Sequence, residues 1–217
     1  MITEHISVSN TGAGMSEALG LADNFSKTLE LDKKQSFHLR LLIEEMFNLI
    51  RAVAGNFSGQ FWIEAENKGK MKDVKGFKIH LASGKSDLDY AKRRELLSVS
   101  TKGDNIASRG IVEKIRDMVE AGLYSVEESF NMQAEYGSTA IFSYGMLPSI
   151  DAGISDAVYS WSMQKYKDEI EAQHKENSEA EDAWDELEKS IIANIADDVK
   201  VGVRKGSFEI IIEKNFN

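Results

Sequence analysis

The sequence predicts an α+β protein in which helices cover one face of a sheet, followed by a C-terminal addition. Three observations indicate this class. Over residues 1–147, segments with alternating apolar residues are interspersed with segments at helical spacing. The only proline, Pro148, marks a boundary after that part. Residues 148–217 then carry two helical patterns and a hairpin-like end. The expected domains are therefore 1–147 and 148–217, the second being a helical extension that ends in a β-hairpin.

The chain opens with a strand and two helices. Residues 2–9 alternate loosely and predict a strand. Residues 16–29 carry apolar side chains at helical spacing, and Ser16 is placed to cap this helix. Asp32 followed by Gln35 resembles a capping box, in which each side chain bonds to the other residue's backbone N–H. The long second helix is therefore expected to begin directly after Asp32.

The first part continues with further strands and one more helix. In the first of these strands Phe61, Ile63 and Ala65 alternate with Trp62 and Glu64, which predicts one buried face and one more polar face. The predicted segments are two strands, an irregular polar stretch, a helix and two more strands, at residues 60–66, 77–81, 83–110, 111–121, 129–136 and 139–144.

The C-terminal part reads as a helical pair and a hairpin. Its predicted elements are two helices and two strands, at residues 154–173, 178–196, 199–204 and 208–216. Trp161, Met163 and Tyr166 lie at helical spacing and are predicted to belong to the core. The terminal strands either extend the sheet of the first part or form a separate hairpin, and the sequence leaves both alternatives open.

Composition bounds the partners of the chain. Its 217 residues carry a net charge of −10, and an acidic field repels the phosphate backbone, so no nucleic acid is expected to bind. No apolar window is long enough for a membrane span and the N-terminal residues do not resemble a secretory signal, so we expect a cytoplasmic protein. The acidic run at residues 168–188 holds one lysine, Lys175, and predicts the solvated face of a helical pair, or more specifically a docking surface for a basic partner.

Residue types that commonly bind metals form no recognisable motif. Cysteine is absent, which excludes disulfides and thiolate sites. The four histidines lack the spacing of a zinc site and predict none; they are His5, His38, His80 and His174.

A set of short motifs occurs in an order that resembles one known superfamily. The motifs are Glu44-x-x-x-Asn48 on the long helix, the segment ending at Lys102, the triplet Ser108-Arg109-Gly110 before the third helix, and Gly137-Ser138-Thr139 before a strand. In this order they resemble the N box, the start of the ATP lid, the second glycine box and the closing Gly-Thr box of the GHKL (histidine-kinase-like, Bergerat-fold) ATPases. The chain looks most similar to the anti-sigma-factor serine kinases, and the resemblance covers about residues 1–147.

The resemblance implies a fold and a set of site residues. The fold is a two-layer sandwich of a mixed, mostly antiparallel sheet with helices on one face, the histidine-kinase-like ATPase fold. Asn48 would be the magnesium ligand and Glu44 the catalytic base, or the residue that orients the nucleophile. The cofactor would be Mg-ATP, bound by Asn48, Gly84, Lys102, Ser108, Arg109, Gly110 and Thr139.

One position departs from the family pattern. The first glycine box of the family begins with an aspartate at a strand end, and that aspartate reads the adenine amino group. Here Ala82 stands in its place, with Gly84 kept. Alanine has no hydrogen-bond acceptor in its side chain.

Two functions follow as alternatives from the resemblance and its departure. The first is a nucleotide-binding regulator of the anti-sigma-factor kinase type, which phosphorylates a serine of a partner if it is active. The second is a non-catalytic protein-interaction module on a decayed GHKL fold. Both imply a regulatory protein as the partner and no membrane. The oligomeric state stays open, with a homodimer as one alternative.

Overall fold

The computed structural model describes most of both ends of the chain. The described residues are 1–51, 58–67, 74–83, 111, 114, 115, 118, 145–147, 153, 154, 157, 159–173, 175, 177–204 and 207–216. Of the irregular stretch predicted at 83–110, only Ser83 is described, and it belongs to a strand. The predicted strands at 129–136 and 139–144 lie outside the described residues. The described residues of the helix predicted at 111–121 are helical.

Seven strands and five helices have defined bounds. In chain order they are β1 (Ile6–Ser9), α1 (Met15–Thr28), α2 (Lys33–Arg51), β2 (Ser58–Asn67), β3 (Val74–Ser83), β4 (Met146–Leu147), β5 (Tyr159–Ser162), α3 (Met163–Gln173), α4 (Ser178–Lys189), α5 (Ile191–Ile195), β6 (Asp198–Arg204) and β7 (Ser207–Asn215). The α+β class predicted from the sequence is confirmed.

All seven strands belong to one sheet. Its order is β1-β2-β3-β7-β6-β5-β4, and every pair among the described strands is antiparallel. The hairpin of β6 and β7 therefore extends the sheet, which decides between the two alternatives left open by the sequence. Strands from both sides of residue 148 share this sheet, because β7 pairs with β3 along residues 76–82.

The helices and one face of the sheet form one hydrophobic core. Alternate residues of β2, β3, β6 and β7 are buried, as period-two burial requires. All five helices contribute buried side chains to the same core cluster. The rings of Phe47 on α2 and Phe61 on β2, for example, have their centroids 6.1 Å apart. Trp161, Met163 and Tyr166 are buried in this cluster, which confirms them as core residues.

The capping box predicted at the start of α2 is present. The Asp32 backbone N–H donates to Gln35 Oε1 at 2.9 Å, and the Gln35 backbone N–H donates to Asp32 Oδ1 at 2.8 Å. Two N–H groups that the helix itself cannot satisfy are thereby paired. This pair fixes where α2 begins and so sets the position of every later side chain on that helix.

Replacing Asp32 with alanine should lower the free energy of unfolding by ~1 kcal/mol, because the cap acceptor is lost. Asp32→Asn keeps an acceptor oxygen and should stay within a few tenths of a kcal/mol of the parent chain. Chemical denaturation of both variants measures the difference. Equal losses in the two variants would mean that the carboxylate charge, rather than the cap, carries the effect.

Three local predictions are wrong in detail. α1 begins at Met15 after Gly14, whose φ of 83° gives the turn, and no side chain caps it, so Ser16 lies within the first turn. Residues 154–173 are not one helix, because β5 precedes α3 and pairs with β6. The helix predicted at 178–196 is broken at Ser190, whose side chain accepts from the Ala193 N–H and starts α5.

Candidate functional site

The two residues of the Glu-x-x-x-Asn motif, Glu44 and Asn48, lie on the outer side of α2. The inner side of this helix is fully buried, as its spacing predicted, through Leu39, Leu42, Ile43, Met46 and Ile50. Asn48 is exposed and Glu44 is half-buried. Spacing i, i+4 places them one turn apart on one face. A polar pair on the accessible side of a helix is available to a ligand without any rearrangement of the core.

The side of α2 next to this pair lies beside α1. The Arg40 guanidinium forms an ion pair with Asp23 of α1 at 2.8 Å. Three turns later, Arg51 Nη2 contacts the Met15 sulfur at 3.2 Å, and its guanidinium lies where a Cβ on Gly12 would come within 2.9 Å. Arg51 therefore presents a positive charge about one turn from Asn48.

Chemically, the exposed side of α2 offers oxygen ligands for Mg²⁺ that is also bound by phosphate oxygens. Amide and carboxylate oxygens such as those of Asn48 and Glu44 are the donors that Mg²⁺ prefers, usually with water and phosphate oxygens completing its shell. The remaining predicted nucleotide ligands lie outside the described residues: Gly84, Lys102, Ser108, Arg109, Gly110 and Thr139. The part of the chain that is described thus brings together Glu44 and Asn48 alone from the predicted set.

The position of Ala82 alters what the sequence suggested about adenine. In β3, Leu81 is buried against the helices, so period two directs Ala82 to the opposite face of the sheet. Its cross-strand partners are Gln60 and Glu209. An aspartate at residue 82 would project away from α2 and could not reach a nucleotide bound there.

The next residue, Ser83, is also committed elsewhere. Its Oγ accepts from the Phe208 N–H at 2.8 Å and lies 3.3 Å from the Phe208 carbonyl. The hydroxyl therefore ties the end of β3 to β7. The described end of β3 offers no side chain that could read a base above α2.

The face of the sheet opposite the helices, which we call the outer sheet face, carries an aromatic stack. The ring centroids of His5 and Trp62 are 4.4 Å apart and those of Trp62 and His80 are 4.7 Å apart, with nearly parallel planes in both pairs. His80 is buried, and among the described residues neither of its ring nitrogens has a hydrogen-bond partner. Carboxylates of Glu64 and Glu209 lie near the two nitrogens.

A second cluster surrounds a buried lysine at the other end of the sheet. Lys114 Nζ lies 4.0 Å from the centroid of the Tyr166 ring. Burial lowers the pKa of Lys114 to about 7, against the opposing attraction of the Glu169 carboxylate. Burial also raises the pKa of Tyr166 to about 12. Glu169 accepts the backbone N–H of Gly145 at 2.6 Å.

Sequence analysis missed both clusters because their members are distant along the chain. Strand pairing brings together Glu64, His80 and Glu209. Lys114 meets Tyr166, which belongs to α3. No group of three or more residues that could hold a metal ion occurs among the described residues. Within the described part of the chain, no helix is long and apolar enough to span a membrane.

The chain matches no protein-family model, no curated protein and no solved structure.

Proposed function

We propose that this chain is a Mg-ATP-binding regulatory protein of the GHKL type, with its metal–phosphate site on the outer side of α2. The supporting observation is the accessibility of Asn48 and Glu44 on a helix whose other side is fully committed to the core. The pair lies on the second helix after β1, before the β2–β3 hairpin, which is the order expected for an N box. On this proposal the histidine-kinase-like fold is the scaffold, and phosphorylation of a partner serine is the activity.

In this proposal the triphosphate and its metal provide most of the affinity. Asn48 would supply an amide oxygen to Mg²⁺ and Glu44 would orient the nucleophile, since phosphoryl transfer depends on positioning and charge stabilisation. Because Ala82 faces away from α2, β3 contributes no base-reading side chain. We therefore expect ATP and GTP to bind with similar affinity.

Calorimetric titration of the full chain with ATP and Mg²⁺, repeated with GTP, tests this proposal. Asn48→Ala should reduce the Mg-dependent affinity at least ~10-fold, in proportion to the loss of a direct ligand, without a change in unfolding midpoint. The stability should be kept because an exposed polar helix residue contributes little to folding. Asn24→Ala changes an exposed asparagine on α1 and is the matched control.

Glu44 has its own control. Glu44→Gln should leave ATP binding in place but remove phosphoryl transfer, whereas Glu45→Gln on the neighbouring half-buried position should affect neither. Unchanged ATP affinity in Asn48→Ala, or equal losses in Asn48→Ala and Asn24→Ala, would exclude the α2 site.

A second function, a non-catalytic interaction module on a decayed GHKL fold, is favoured by the orientation of Ala82. If the position expected to bind adenine lies on the face of the sheet away from α2, the chain can keep the fold without binding a nucleotide. The exposed acidic side chains of α3 and α4, among them Asp168, Glu181 and Asp185, would then be the docking surface for a basic partner. Absence of heat and of a thermal shift at saturating Mg-ATP, with the fold intact, would favour this second function.

A further inference from the structure

The strongest unexplained feature outside α2 is His80 on the outer sheet face. Its side chain is 9% exposed, and both ring nitrogens are buried without a hydrogen-bond partner. Buried polar atoms in folded proteins are nearly always satisfied by protein, water or an ion. A buried imidazole whose two nitrogens find no partner among the described residues is therefore a candidate ligand.

The nearest acceptors are carboxylates at distances unsuited to hydrogen bonds. His80 Nε2 lies 3.4 Å from Glu64 Oε2, and His80 Nδ1 lies 3.9 Å from Glu209 Oε1. Good N–H···O bonds have donor–acceptor distances of roughly 2.7–3.2 Å. Two ligand atoms that each lie about 2.0–2.2 Å from a tetrahedral Zn²⁺ are, in contrast, roughly 3.3–3.6 Å apart. The separation of Nε2 from Oε2 fits the edge of such a metal site.

The surrounding charges leave Glu64 available for a cation. Lys78, its cross-strand neighbour, is 3.1 Å from Glu213, and Lys200 is 3.0 Å from the same carboxylate. Among the described residues, the one ion pair of Glu64 is with His80. Its side chain is 40% exposed, so that solvent can deliver an ion and complete its coordination.

A second carboxylate lies on the other side of the imidazole. Metal-bound histidines commonly donate their second N–H to a carboxylate, which fixes the ring and raises its basicity. A carboxylate oxygen of Glu209 lies 3.9 Å from Nδ1, on the side where such an acceptor would stand, and Glu209 is itself held by Arg204 at 3.1 Å. Stacking on Trp62 fixes the plane of the His80 ring.

We propose that His80 and Glu64 form a two-residue site for a divalent transition-metal ion of the Zn²⁺ class, with Glu209 as the residue that positions His80. Water oxygens complete the tetrahedron, because no third protein ligand is present among the described residues. Imidazole nitrogen favours Zn²⁺, Co²⁺ or Ni²⁺ over Mg²⁺ or Ca²⁺. The site lies on the face of the sheet opposite α2 and does not depend on nucleotide binding.

Titration of the full chain with Zn²⁺ alone, and separately with Co²⁺ monitored by visible absorption, tests the site. We expect saturation at one ion per chain, a tetrahedral Co²⁺ spectrum and no response to Mg²⁺. Glu64→Gln and His80→Gln should each lower the affinity at least ~10-fold, and Glu209→Gln should lower it by about 10-fold with the spectrum kept. Because Glu64 is partly exposed, Glu64→Gln tests the proposal even if His80→Gln fails to fold.

Two matched controls separate this site from general attraction to acidic surface. Glu66→Gln removes a carboxylate two residues farther along β2, and His5→Gln removes the histidine at the other end of the stack. Both should bind Zn²⁺ as the parent chain does. Absence of saturable binding, or losses in either control equal to that of Glu64→Gln, would overturn the proposal.

Discussion

Substituting Gly145 with alanine should lower the free energy of unfolding by about 3 kcal/mol. Gly145 has a φ of 85°, and a left-handed conformation costs an L-residue roughly 1–2 kcal/mol. The added Cβ would also lie 2.7 Å from Trp161 Cδ1 and 2.8 Å from the Ser162 carbonyl. Overpacking of this kind costs a further 1–3 kcal/mol or so.

The backbone at Gly145 has little freedom to relax. Its N–H donates to Glu169 and its carbonyl accepts from the Ser162 N–H at 2.8 Å. Gly153 is the matched control, because its φ of 72° imposes similar strain while a Cβ there would meet nothing within 4 Å. Urea denaturation of Gly145→Ala and Gly153→Ala separates the cost of backbone strain from the cost of the contacts with Trp161 and Ser162. Equal losses would show that backbone strain alone, and not the contact with Trp161, limits this position.

Features that depend on near neighbours in the sequence were predictable. The capping box of Asp32 and Gln35 spans four residues of chain, and both of its bonds are formed. The alternation in β2 likewise fixed which side chains of that strand face the core, since burial of Phe61 and Ile63 follows from period two alone.

Features that depend on distant pairing were not predictable. The strand β5 has four residues, and Trp161 and Tyr166 also fit a helical spacing, so short apolar runs of this kind are ambiguous. Pairing of β3 with β7 joins residues more than a hundred positions apart. No local pattern specifies that register, and the neighbours of His80 follow directly from it.

Only part of the candidate site on α2 could be predicted from the sequence. The helix pattern correctly placed Glu44 and Asn48 away from the core stripe. The face on which Ala82 lies depends on how far β3 extends, and the strand runs through Ser83. A motif aligned by sequence order alone therefore could not show on which face of β3 Ala82 lies.

Lys114 should make the protein less stable at neutral pH than a chain with an apolar residue in its place. Its pKa in the folded chain is about 7, lowered from 10.5 chiefly by burial. The unfolded chain consequently binds more protons than the folded one between pH 7 and pH 10.5, and stability rises with pH across that window. Below pH 7 both states carry the charge, so the full penalty for burying it is present.

Lys114→Met should therefore raise the free energy of unfolding at pH 7 by about 2–4 kcal/mol. One unit of pKa shift corresponds to about 1.4 kcal/mol, and the lost contact with the Tyr166 ring offsets part of the gain. Glu169 is not left buried and alone, because it is half-exposed, keeps the Gly145 N–H and lies 3.8 Å from Lys165.

The pH dependence of the stability gain, rather than its size at pH 7, distinguishes removal of the buried charge from improved packing. Unfolding measured from pH 6 to pH 10 should show the difference between Lys114→Met and the parent chain shrinking as the pH rises above 7. Lys189→Met, at a fully exposed position, should follow the parent chain throughout. If the gain in stability stayed constant with pH, it would come from better packing against Tyr166. The prediction that burial lowers the pKa of Lys114 would then be wrong.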